Sequence, residues 1–273
     1  MISWELVRKS VQFDVETLWI KEIPLSERLR LIYSKYLQLV TLPVTKQGTL
    51  KLGDTRMLVQ NMSELGTLQS CLVDIYDEIV SPGLLAHNPY VVDAGANIGQ
   101  WSCSLLALRP DARIFGIEPD PTIFQRLNLN LAHSSAVELT NCAISDEDGS
   151  GILYRQPLSL MSTLTPGARD DRSNTVPVRV ARLDTLMRDK PDPDLIKIDI
   201  EGAELKAIRG ATETLRRARL LVIEIGLSRQ GSGALEVLEE IRKIVPTARI
   251  IKFGRPLGSR ARPTCQDSII ELR

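Results

Sequence analysis

Metal-binding residues are scarce in this chain: it has two histidines and four cysteines in 273 residues. Cys71, Cys103, Cys142 and Cys265 are scattered, with no Cys-x-x-Cys pair and no neighbouring histidine. This argues against a zinc site or a disulfide framework, and the cysteines read as small apolar side chains in a reducing compartment. Net charge is also absent, with 34 Lys and Arg against 34 Asp and Glu, so no global field recruits nucleic acid. No run approaches the roughly 18 apolar residues of a membrane-spanning helix. The opening Met-Ile-Ser-Trp-Glu lacks a basic stretch followed by an apolar core, so a cytoplasmic location is expected. A Gly-x-Gly-x-x-Gly fingerprint is missing as well, which counts against a dinucleotide held by its pyrophosphate.

What the chain does contain is a strand-turn-helix-strand signal between Tyr90 and Asp120. The β-branched run Tyr90-Val91-Val92 ends in Asp93, breaks at Gly95 and Gly99, and resumes with helical spacing through Trp101, Leu105 and Leu108. Arg113 to Ile117 repeats the strand pattern and ends in Glu118. A right-handed crossover opens both strand ends onto one crevice, where a nucleotide-like ligand sits. A carboxylate at the turn repels phosphate but suits S-adenosylmethionine, which carries an ammonium, a sulfonium and a single carboxylate. Asp93 is then expected to hold the ammonium directly or through water, backbone N–H groups near Gly95 to Gly99 the carboxylate, and Glu118 both ribose hydroxyls. A next strand, Val137 to Ile144, is expected to place Ala143 and Ile144 near the adenine.

The remaining segments fill out an α/β fold. Residues 1–85 form an extension and 86–273 the main domain. Within the extension, helices flank a break at Ile23-Pro24. The stripe Leu29, Ile32, Tyr33, Tyr36, Leu37 and Val40 is read as packing on the main domain, although it also suits a homodimer contact or a peripheral membrane face. Thr49 to Gln60 alternates about Gly53-Asp54 as a hairpin. Ser63 to Val80 reads as a helix capped by Ser63. His87 and His133 are read as solvated and as closing a helix end. The Ser, Thr, Pro and Gly-rich stretch 159–171 and the arginine-rich loop 254–263 are candidate substrate-shaping segments.

Chemistry concentrates at Asp194 to Glu204. Leu195, Ile196, Ile198 and Ile200 suit a strand buried on both faces, and Asp199 and Glu201 lie two apart at its end. Their side chains are therefore expected to leave on one face, toward the crevice, and Lys197 is read as anchoring another acid. Either carboxylate can serve as general base for a hydroxyl nucleophile. A Mg²⁺ held by the pair is the less favoured alternative, and no dedicated metal ligand is assigned. Glu224, embedded in the strand Leu220 to Ile225, needs a partner and is read either as a substrate contact or as an ion-pair member.

Five stretches, at 91–99, 116–120, 143–149, 195–204 and 221–225, together resemble the FkbM-type methyltransferases across about residues 90–226. The Lys-Ile-Asp-Ile-Glu-Gly-Ala-Glu segment at 197–204 is the most specific of them. The resemblance implies a class I methyltransferase fold: a seven-stranded, mostly parallel sheet with helices on both faces and the last strand antiparallel. It also implies S-adenosylmethionine-dependent O-methylation of a sugar, glycolipid or polyketide-type acceptor. Asp93, Gly95, Asn97, Gly99 and Glu118 fall on its cofactor motifs, and Asp199 and Glu201 on its post-strand acids. The competing readings are a non-catalytic S-adenosylmethionine-binding partner subunit and a nicotinamide-dependent oxidoreductase.

Overall fold

The computed structural model describes residues 4–45, 47–52, 55–155, 174–200, 202–226, 233–253 and 265–273. The loop expectations for 159–171 and 254–263, and Glu201 itself, lie outside the described residues. The chain forms two compact units. One comprises Met1–Asn88, Ile98–Ala112 and Arg126–Val137; the other comprises Pro89–Asn97, Arg113–Gln125 and Glu138–Arg273. No described helix is long and apolar enough to cross a membrane.

The first unit opens with helices α1 (Trp4–Trp19) and α2 (Leu25–Thr45), parted at Pro24, whose ring disfavours a continuous helix there. The hairpin β1 (Gly48–Leu52) and β2 (Thr55–Val59) follows, antiparallel in register Gly48↔Val59. Helix α3 (Met62–Ile75) passes into a π-helical turn at Tyr76–Val80. Its cap is Asn61 rather than Ser63. The Asn61 carboxamide accepts the Glu64 N–H at 2.9 Å, and the Glu64 carboxylate takes the Gln60 N–H at 2.8 Å. A cap placed three residues before an acid satisfies two otherwise orphaned donors, whereas Ser63 already lies inside the first turn. Arg126 then grips Glu64 with both guanidinium nitrogens at 2.9 and 2.8 Å.

The α2 stripe is oriented differently from expectation. Leu31 and Lys35 face inward, while Leu29 and Tyr33 are exposed. Lys35 tolerates burial because its ammonium pairs with Asp14 and donates to Gln69 at 3.1 Å. Gln69 in turn donates to Asp14 at 2.8 Å and to Thr17 at 3.2 Å, and Tyr36 donates to Asp14 at 2.7 Å. A buried charge persists only when paired and hydrogen-bonded in this way.

The second unit is built on a sheet. Its parallel strands are β3 (Tyr90–Ala94), β4 (Arg113–Ile117), β9 (Leu195–Ile198) and β10 (Leu220–Gly226). Between β3 and β4 in the chain runs α4 (Gln100–Leu108), and after β4 come α5 (Pro121–Leu131) and β5 (Val137–Thr140). With β11 (Arg249–Phe253) and β12 (Cys265–Glu271), the order is β11-β12-β10-β9-β3-β4-β5, and β12 runs antiparallel to both its neighbours. This is the seven-stranded, mostly parallel α/β sheet expected, with its last strand antiparallel. Leu195, Ile196 and Ile198 are fully buried, each contributing roughly 1.5–3 kcal/mol of transfer free energy. Short helices α6 (Leu183–Leu186), α7 (Glu204–Arg209) and α8 (Thr212–Arg217), with α9 (Ala234–Ile244), add Leu183, Ile208, Leu215 and Ile241 to the same core.

Val137 to Ile144 is not one strand. The chain leaves the large sheet after Thr140, and β6 (Ala143–Ile144) joins a separate three-stranded sheet, β6-β8-β7, with β7 (Gly149–Tyr154) and β8 (Thr175–Ala181). The break falls at Asn141, whose carboxamide donates to the carbonyls of Glu118 and Pro119 at 2.8 and 2.9 Å.

Candidate functional site

Strand register places the sequence-derived residues on one edge of the second unit. Ala94 pairs with Ile117 on one side and with Ile198 on the other, and Ile198 pairs with Ile223. One residue further along, four adjacent parallel strands therefore deliver Glu118, Gly95, Asp199 and Glu224 at the same level. This is the carboxyl edge of a parallel sheet, where ligands of open α/β folds bind.

Gly95 is required by both conformation and space. Its φ is +82°, and an added Cβ would lie 1.9 Å from the Asp199 carbonyl oxygen, so any side chain would displace the strand end carrying Asp199. Asn97 follows at φ +50°, a region that Asn enters more readily than most residues. The turn's amides are largely committed: Gly95 and Ala96 both donate to the Ile117 carbonyl at 3.0 Å, and Asn97 donates to Glu118 at 3.0 Å. In the first unit, Gly99 sits at the N-cap of α4 with φ +96°, and a Cβ there would press on Leu131 and Leu127 at 2.9 and 3.1 Å.

Glu118 is buried, and each of its oxygens holds one backbone donor: Oε2 the Asn97 N–H and Oε1 the Asp120 N–H at 2.9 Å. Burial pushes its carboxyl up to about 7 despite those two bonds and the nearby Lys197 charge, and the Asp120 carboxylate adds to the rise. Because the ordinary value is 4.5, the stabilisation linked to this group is complete below that pH and is lost as pH climbs through about 7. Asp120 is pushed up by burial but held lower overall by Arg155, whose guanidinium grips it at 2.6 and 2.7 Å, and by the Thr122 and Ile123 amides.

Asp93 does not stand open at the turn. Its side chain is fully buried within β3, in register with Lys197 on β9, whose ammonium lies 3.2 Å away. The same ammonium is 3.5 Å from Asp199 and donates to the Gly95 carbonyl at 3.3 Å. Lys197 thus anchors two acids and ties two strand ends together, as its position among the acids of 194–204 leads one to expect. The available signal is period two: Lys197 and Asp199 stand two residues apart. Asp199 is 39% exposed and lies just past β9, which ends at Ile198. Glu201 lies outside the described residues. Nearby, Glu204 accepts the Gly202 N–H at 2.9 Å, and burial first, with Asp199 assisting, raises its carboxyl.

Ala143 packs with Leu153, Val178 and Val180 in the small sheet. Three consecutive residues of that segment hold Glu118's backbone: the Thr140 carbonyl accepts the Glu118 N–H at 3.2 Å, the Cys142 N–H donates to the Glu118 carbonyl at 3.3 Å, and the Asn141 carboxamide donates to the Glu118 and Pro119 carbonyls. Glu224 is half-buried, in register with Asp267 on β12. Among the described residues, no group of three or more His, Cys, Asp or Glu could hold a metal ion. His87 and His133 are exposed.

A model of the methyltransferase FkbM domain matches residues 93–249, more than half of the chain. The chain belongs to this family. It is 33% identical over 162 residues to the methyltransferase sdnD of Sordaria araneosa, covering 47% of this chain and 62% of that protein. It is 29% identical over 184 residues to the 2-O-methyltransferase NoeI of Sinorhizobium fredii, covering 60% and 74% of the two chains. The FkbM methyltransferase of Methylobacillus flagellatus shares the fold, with a TM-score of 0.51 at 18% identity over 77% of this chain and 55% of that one.

Proposed function

We propose that this FkbM-family chain is an S-adenosylmethionine-dependent O-methyltransferase acting on a hydroxyl of a glycosyl, glycolipid or polyketide-type acceptor, with the chemistry in residues 86–273. The observation that carries the reading is the row of Glu118, Gly95, Asp199 and Glu224 on one carboxyl edge, three acids and a glycine. An edge so rich in carboxylates, with Lys197 already engaged by two of its neighbours, suits a cationic ligand and opposes a pyrophosphate. Each Glu118 oxygen has one backbone donor, which leaves lone pairs for the two hydroxyls of a ribose. The name of the Sinorhizobium relative supports oxygen as the methylated atom.

When bound, S-adenosylmethionine supplies a methyl group on a sulfonium as the electrophile. Asp199, oriented by Lys197 at 3.5 Å, would take the proton of the acceptor's hydroxyl. Glu201 is the second candidate base. Asp93 acts through Lys197, fixing the strand end from behind. Turnover is expected to survive chelation. Radiolabelled methyl transfer to a panel of glycosyl and polyketide alcohols tests the assignment. Transfer to an alcohol supports it, whereas transfer only to amines or thiols contradicts it.

Glu118 makes cofactor binding pH-dependent. Ribose hydroxyls donate to the ionised carboxylate, so binding favours the charged form and lowers the group from its value of about 7. The affinity for S-adenosylhomocysteine is expected to rise about tenfold from pH 6 to pH 8. Glu118→Ala should weaken it by roughly 1.5–3 kcal/mol, the scale of charge-assisted hydrogen bonds. Titration at both pH values checks this, and an equal affinity at the two would remove the ribose assignment.

A further inference from the structure

The first unit presents an apolar surface that its own fold leaves uncovered. Val11, Val15 and Trp19 on α1, and Leu25, Leu29 and Tyr33 on α2, recur every four residues, so each set forms one stripe. All six are exposed, Trp19 by 72% and Tyr33 by 67%. The opposite sides of the same helices are committed to the interior through Ile20, Leu31 and the Lys35–Asp14 pair. The helices lie side by side: Tyr36 reaches Asp14, and Arg28 reaches the Leu18 carbonyl.

We infer that this two-helix face docks a second copy of the chain, so that two helical pairs close about a two-fold axis. The six side chains expose on the order of 700 Å² together, close to the roughly 800 Å² per partner of a standard stable interface. That exceeds the ~300–600 Å² of the largest apolar patch on a typical monomer. Trp and Tyr, the residue types that dominate binding hot spots, are its most exposed members. Charge favours a protein occupant over an anionic bilayer. Apart from the buried Lys35–Asp14 pair, residues 4–37 hold five Lys and Arg against four Asp and Glu, without the basic excess that lipid headgroups attract. A two-fold interface uses the same patch on both partners, and an evenly mixed border can be self-complementary.

Sedimentation velocity on the full chain between about 1 and 50 µM tests this. The expected species has twice the 30.4 kDa chain mass. Trp19→Ser with Tyr33→Ser should weaken association at least roughly a hundredfold with unchanged circular dichroism. Leu235→Ser, at an equally exposed position on α9 (76%), should leave it intact. A wild-type chain that stays monomeric, or a double variant that associates as the wild type does, overturns the inference. So does a monomer that instead floats with phosphatidylcholine–phosphatidylserine vesicles. Should the double variant fail to fold, hydrogen exchange on the wild-type chain decides. Protection of α1 and α2 amides that grows with concentration supports the second copy, and protection that is independent of concentration refutes it.

Discussion

Asp199→Asn is expected to lower the methyl-transfer turnover number by about 10²–10⁴, the range for removing a positioned general base. The substitution keeps the side chain's shape and removes only its capacity to take a proton. Because Asp199 lies just beyond β9 and its backbone oxygen is the atom against which Gly95 packs, the site should remain assembled, with acceptor KM changing little. The loss should therefore appear in the chemical step. A variant retaining more than about a fifth of wild-type turnover would strip Asp199 of the role and pass it to Glu201. If Glu201→Gln is equally active, alignment of the reactants rather than a carboxylate base carries the transfer.

Lys197→Met should cost about 3–5 kcal/mol of folding stability, the range for removing one member of a buried ion pair. Methionine preserves the unbranched stem, so packing is a minor term. What remains is the fully buried Asp93 without its cation 3.2 Å away, and a charge cannot be left in that environment unpaired. The double variant Asp93→Asn with Lys197→Met should recover most of the loss, since the partner's charge is gone as well. Urea denaturation of the four members of this cycle measures the coupling. A single-variant loss under about 1 kcal/mol would mean that the pair does not hold the strand ends together.

Most of the sheet is legible in the sequence because its strands announce themselves locally. Val91-Val92 before Asp93, Gly116-Ile117 before Glu118 and the largely apolar Leu195 to Ile198 before Asp199 each lead into an acid, and the register sets Glu118 and Asp199 level with Gly95, two residues beyond Asp93. Pairing across strands is not legible. Asp93 and Lys197 are 104 residues apart in the chain but direct register partners, so Asp93 reads as an open anion when it is a neutralised one. The break at Asn141 is hidden because Val137 to Ile144 alternates plausibly throughout, and only the two carbonyls that Asn141 engages show why the strand stops. Ala143 pairs with Val180 in a second sheet. In α2, helical spacing alone admits two apolar faces, and burial of Lys35 with Asp14 and Gln69 decides which one turns inward.

The most direct test of the proposed function is calorimetric titration of the full chain at pH 8 with S-adenosylhomocysteine, run beside NAD and NADP. Micromolar binding of S-adenosylhomocysteine alone, weakened by Glu118→Ala, is the predicted result. Binding of either dinucleotide without S-adenosylhomocysteine would contradict the reading of the acid-lined strand edge and point to nicotinamide chemistry in its place.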